Sequence, residues 1–259
     1  MCVHSGTQAI GEDINSIRRD IKQVVPFVQE GFVGGNDITL KNLTIKNNFG
    51  FEFKDEYKIV CETDSTNEKT IKKSGHQMAL RSIKATRLKA INCYFSSYGG
   101  DTVSPWNVEN GMFYFKDCKM EGGVDFYCPR GWAWAENCDF FSYGGTASIW
   151  HDGSKNPDSK SVLYNCRFNG IKDFYLGRYH RDAQMYLVNC SFDKNMRDSS
   201  IYHVPKSTEI NFGHRIYYYN CHRNGGDYSW FENNLPATLK VEQINPDWGF
   251  ASHWKPAEN

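Results

Sequence analysis

The sequence predicts an all-β chain, a right-handed parallel β-helix (solenoid) with an N-terminal capping helix. Three observations point there. Six cysteines stand in near-identical surroundings: Asn92-Cys93-Tyr94-Phe95, Asp117-Cys118-Lys119-Met120, Asn137-Cys138-Asp139-Phe140, Asn165-Cys166-Arg167-Phe168, Asn189-Cys190-Ser191-Phe192 and Asn220-Cys221-His222-Arg223. Their spacings, 25, 20, 28, 24 and 31 residues, are those of a stacked repeat. The stretches around them, such as Tyr186 to Phe192, are short, aromatic and aliphatic, and close to period two, with Gly, Asn and Asp turns between and no ten-residue helical pattern.

In such a coil one position recurs about 4.8 Å up the axis, so the cysteines form an inward ladder of free thiols. The chain has nine cysteines, an odd number, none in a Cys-x-x-Cys pair. Neither a zinc site nor a disulfide framework is expected, and no cofactor.

The elements follow in order. Residues 1–30 form a capping segment. Within it Ile14, Ile17, Ile21, Val24, Val25 and Val28 have helical spacing, ended near Pro26. A helix there covers the open end of the solenoid. Asn36 to Ile45 is the first pair of strand turns, with Leu43 in the cysteine position. Phe51 to Phe53 and Tyr57 to Ile59 alternate as short strands, and Glu62 to Lys69 reads as a solvated loop. The β-helix proper spans residues 31–230. Residues 231–259, with Pro236, Pro246 and Pro256, form an irregular tail packed back through Trp248 and Trp254.

The chain has 259 residues, with 30 basic and 30 acidic side chains. That balance argues against nucleic acid or an anionic membrane as the main partner, yet a basic cleft can hide in a neutral total. No run of about 18 apolar residues exists to span a membrane. Met1 to Gly6 lacks the basic and apolar segments of a signal peptide. Aromatics make up 15 %, enough both to fill a β core and to line a groove.

The candidate chemistry lies in two carboxylates. Asn92 to Thr102 is repeated at Asn137 to Thr146, but the second copy lacks the Asp of Gly99-Gly100-Asp101, so the coil itself does not require Asp101. Asp125, in Gly122-Gly123-Val124-Asp125-Phe126, lies 24 residues on, about one coil. The two belong on neighbouring rungs, their backbones about 5 Å apart. Carboxylates at that distance repel by about 3 kcal/mol, enough to raise one pKa by about 2. One then stays ionised as a nucleophile while the other keeps a proton as general acid. Two loop aspartates satisfying backbone amides give the same spacing, and a glycosidase uses such a pair too.

At these residues the chain resembles the pectin methylesterase (pectinesterase) family, over roughly residues 32 to 230. The matching blocks, in the family's order, are Asn36 to Asn47, Gln77-Met78-Ala79-Leu80-Arg81, Tyr98-Gly99-Gly100-Asp101-Thr102, Gly122 to Phe126 with Asn137-Cys138 in register, and Leu176-Gly177-Arg178. The resemblance implies a secreted or periplasmic monomer hydrolysing methyl esters of a galacturonate polysaccharide. Asp125 would attack the ester carbonyl. Asp101 would protonate the leaving methanol and then activate water. Gln77 would donate to the oxyanion, and Arg178 would hold Asp125 ionised. Tyr98, Trp106, Phe126, Arg130, Trp132 and His180 would contact the sugar chain.

Departures from the family are local. Gly99 or Gly100 stands where the family has a Gln, a loss worth about 10²–10³ in rate for an oxyanion donor. Cys128-Pro129-Arg130-Gly131-Trp132 and Tyr179-His180 replace residues that line the family's cleft. A second reading is therefore a weak or inactive β-helix that binds polysaccharide through Tyr98, Trp106, Trp132 and His180. A lyase would want a calcium-binding carboxylate cluster beyond the pair.

Overall fold

The computed structural model describes residues 31–33, 35–52, 57–61, 64–151, 155–205 and 210–256. The segment expected to form a capping helix lies outside them. Three parallel sheets wind around one core. The first face runs through Gly31–Val33, Leu80–Ile83, Val103–Trp106, Ala147–His151, Tyr175–Tyr179 and Tyr202–His203, with bridges at Tyr127 and Arg130 filling the middle rung. The second face has seven strands, from Asn36–Lys41 to Arg215–Tyr219, and the third seven, from Thr44–Asn47 to His222–Arg223.

The repeated Asn-Cys unit is the corner between the second and third faces. Asn42, Asn92, Asp117, Asn137, Asn165, Asn189 and Asn220 all have φ between 49° and 57°. That left-handed conformation suits Asn and Asp, whose short polar side chains offset its cost locally. The next residue then points inward. Cys93, Cys118, Cys138, Cys166, Cys190 and Cys221 are all buried free thiols. Each donates weakly to a nearby carbonyl, as Cys118 does to Ala90 and Cys190 to Leu163 on the preceding rung. Beside them Phe140, Phe168 and Phe192 stack with centroids 4.6 and 5.5 Å apart.

Two elements differ from expectation. Phe49–Glu52 is a short helix, capped where Asn47 accepts from the Phe49 amide. Tyr57–Cys61 pairs antiparallel with Asp64–Ile71, so the polar stretch read as a loop is half of a hairpin outside the coil. Its composition is that of a solvated strand, which alternation alone does not separate from a loop.

The tail covers the outward row of the second face, Tyr114, Trp134, Val162 and Tyr186, with Ile244, Trp248, Phe250 and Trp254. Lys89, itself buried, donates to the Pro256 carbonyl at 2.7 Å. Among the described residues no helix is long and apolar enough to cross a membrane.

Candidate active site

The other corner, where the third face turns into the first, carries the carboxylates. The bridges His76–Gly100 and Gly100–Val124 put Gln77, Asp101 and Asp125 on three successive rungs. Asp101 (φ 59°) and Asp125 (φ 48°) take the left-handed conformation also seen at the Asn-Cys corner. The Asp101 amide donates to the Val124 carbonyl at 3.2 Å, so the two turns are hydrogen-bonded neighbours.

Arg178 grips Asp125 as a fork, Nε to Oδ1 at 3.0 Å and Nη2 to Oδ2 at 2.6 Å. Its guanidinium also lies over Trp150, 5.0 Å from the ring centroid. Burial pushes the Asp125 carboxyl above the usual range, Arg178 pulls it back down, and the neighbouring Asp101 charge adds to the rise. The upward shift at Asp125 comes from burial first, and the Arg178 fork opposes it.

Asp101 is buried and held differently. Ser104 donates to its Oδ2 at 3.2 Å and Arg130 approaches the same oxygen at 3.5 Å. His76, largely exposed, stands 3.9 Å from Oδ1. Ser104 is a junction: its hydroxyl accepts from Arg81 at 2.6 Å and from Arg130 at 2.7 Å while donating to Asp101. One donor and two acceptor sites are all a hydroxyl offers.

The other expected site residues divide. Trp106 is 39 % exposed, with the guanidinium carbons of Arg81 and Arg130 5.0 and 4.7 Å from its centroid. His180 stacks on Trp150 at 4.6 Å. Tyr98 stacks on Tyr143 across Gly123, and Lys73 lies over its ring. Three residues are placed elsewhere. Phe126 is fully buried in the core, because the left-handed turn at Asp125 sends the next side chain inward. Trp132 lies on the second face under the tail, against His253 and Lys160, because Gly131 (φ 142°) turns the chain away from the first face. Gln77 is buried, and its amide donates to the Lys73 carbonyl at 2.6 Å while its oxygen accepts from Gly50 at 3.1 Å. It ties the short helix to the coil.

The glycines before Asp101 are closed to side chains. A Cβ on Gly99 would lie 2.0 Å from the Gly75 carbonyl oxygen, and one on Gly100 2.8 Å from a Val124 methyl. The neighbouring rungs leave no room for a side chain at either glycine.

Sequence reasoning passed over Arg81, Ser104 and Trp150. Trp150 was within reach: it precedes Arg178 by 28 residues, the spacing of Cys138 and Cys166, and the two are register partners.

No protein-family model matches the chain. It is 27 % identical over 150 residues to pectinesterase QRT1 of Arabidopsis thaliana, a stretch covering 53 % of this chain and 37 % of that protein. It is 30 % identical over 108 residues to putative pectinesterase 11 of the same plant, 40 % of this chain and 29 % of that one. The chain thus spans about a third of the length of these relatives. Among solved structures, a pectin methylesterase in complex with a hexasaccharide superposes with a TM-score of 0.61 at 21 % identity, covering 87 % of this chain and 72 % of that one. Pectin methylesterase PemA from Erwinia chrysanthemi gives 0.60 at 22 %, with the same coverage. The chain is a parallel β-helix like the pectin methylesterases and is similar to pectinesterases in sequence over part of its length.

Proposed function

We propose that the protein is a carboxylic-ester hydrolase acting on a methyl-esterified uronic-acid polysaccharide, with Asp125 as nucleophile. The observation that carries this is the adjacent-rung pair, with Asp125 gripped by Arg178 and Asp101 held by Ser104 and Arg130. Asp125 attacks the ester carbonyl, and the Arg178 fork keeps it ionised and aimed. Asp101 gives a proton to the departing methanol and takes one from the water that resolves the acyl-enzyme. The Gln77 amide is committed to the Lys73 carbonyl, so His76 and Arg130 are the groups beside Asp101 that can donate to a developing oxyanion. Trp106, Arg81 and Arg178 give the first face the mix of an exposed ring and positive charge that suits an anionic sugar chain. Such a substrate belongs outside the cytoplasm, in the periplasm or the secreted space.

The test is methanol release from methylated pectin by the protein and by Asp125→Asn, with acetate release from acetylated pectin alongside. Methanol release that falls at least about 10⁴-fold in the variant supports the reading. Binding without release of either product, unchanged in the variant, overturns it. That outcome would favour a non-hydrolytic polysaccharide binder, a reading supported by the closed space at Gly99 and Gly100.

A further inference from the structure

Asp101 is held through one of its two oxygens. Among the described residues, both hydrogen bonds to its carboxylate fall on Oδ2, from Ser104 at 3.2 Å and Arg130 at 3.5 Å. Oδ1 faces the largely exposed His76, which at 3.9 Å stands beyond hydrogen-bonding distance. The Ser104 hydroxyl, in turn, has little freedom to rotate. It accepts from Arg81 Nη1 at 2.6 Å and from Arg130 Nη1 at 2.7 Å. A hydroxyl has two acceptor sites and one proton to donate. With both acceptor sites filled by guanidinium N–H groups, the proton is directed to a third partner, and Oδ2 is that partner. Arg81 is fixed in this position from two further sides: Nη1 also reaches the Ser104 carbonyl at 3.1 Å, and the guanidinium lies 5.0 Å from the Trp106 centroid. Arg81 and Ser104 are register partners on adjacent rungs, so the sheet itself sets their approach.

We infer that Ser104 and Arg81 are positioning residues that assign the Asp101 proton to Oδ1. The inference rests on the proposed ester hydrolysis and goes beyond it by naming the oxygen that works and the residues that select it. A proton on Oδ2 would meet the Ser104 hydroxyl proton, and Ser104 has no acceptor site left to receive it. A proton on Oδ1 leaves both bonds at Oδ2 intact. Oδ1 therefore gives its proton to the methanol oxygen as the ester C–O bond breaks, which leaves Asp101 a carboxylate. The same oxygen takes a proton from water as that water attacks the acyl carbon on Asp125, and the acid is restored. Neither Ser104 nor Arg81 handles the proton. They act by occupying the other oxygen, Ser104 directly and Arg81 by keeping the Ser104 hydroxyl from turning.

The test compares two esters of one galacturonate oligomer, methyl and trifluoroethyl, by the rate of alcohol release in the first turnover. Trifluoroethanol is much the more acidic alcohol and departs with little help from a general acid. Ser104→Ala should slow methanol release about tenfold or more, part of a general acid's share, and trifluoroethanol release about threefold or less. In Arg81→Gln the hydroxyl regains an acceptor site and can turn, so the same split should appear at smaller size. Arg81→Lys, which keeps a donor there, should narrow it. The two esters share one sugar chain, so a change in binding or folding moves both together. Equal slowing of both esters, or of neither, overturns the inference while the hydrolysis stands. Release from neither ester by the unaltered protein sinks the proposed hydrolysis, and the inference with it.

Discussion

The two corners of the coil use the same backbone device to opposite ends. At the Asn-Cys corner, a left-handed Asn or Asp passes its side chain up the axis: Asn92 donates to Asn42 at 2.8 Å, Asn137 to Asp117 at 3.2 Å and Asn220 to Asn189 at 2.8 Å. The corner residue is satisfied by its own kind, and the result is stitching. At the opposite corner Asp101 and Asp125 have the same φ, but both are carboxylates and cannot pair with each other. They turn to Arg130, Ser104 and Arg178 instead. A conformation that is structural in seven coils becomes available for chemistry in two, and the change lies in what the side chain meets.

That comparison can be broken experimentally. The largest effect is expected at Asp125→Asn. Methanol release should vanish while the melting temperature stays within about 2 °C, because Asn is the residue that the other corner uses at this φ. Asp101→Asn should cost about 10²–10⁴ in rate, the share of a general acid and base, again with little change in melting. Next comes pH. Asp125, the proposed nucleophile, must be ionised to attack, and its folded-state pKa lies above the ordinary carboxylate value because of burial. Activity should therefore fall as pH drops through a value above that of an ordinary aspartate. Arg178→Gln removes the main influence holding that pKa down, so the acid limb of the pH–rate profile should move further up. A limb that stays put would show that Arg178 does not hold the charge on Asp125. The smallest effect is at the structural corner. Asn165→Ala puts a Cβ without a polar group at φ 53° and should cost about 1–2 kcal/mol of stability, read by thermal melting, with activity per folded molecule unchanged.

The fold was legible because one corner is repeated with little change. A left-handed Asn or Asp followed by an inward thiol recurs once per coil, so each such unit marks a coil, and their spacings measure the coil lengths. Asp101 was legible as a departure from a repeat, and Asp125 as the carboxylate one coil further on. What was not legible is the direction of side chains next to a left-handed turn. Phe126 and Gln77 flank or share that corner, and strand alternation says nothing about which way they point once the backbone leaves the extended region. Trp132 was misplaced because Gly131 changes face within one residue. The hairpin at residues 57–71 escaped because it pairs with itself and leaves no trace in the coil spacing.

The tail gives the solenoid a property that stacked repeats ordinarily lack. Its contacts run backward through the array, from Asn234 at Tyr218, through Trp248 at Tyr186 and Trp254 at Tyr114, to Pro256 at Lys89. A free stack of coils can fray from either end, since each rung answers only to its neighbours. Here a single strap spans the rungs that carry Arg178, Asp125 and Asp101. Unzipping any of them means lifting the strap from all of them, so these rungs should melt as one cooperative unit.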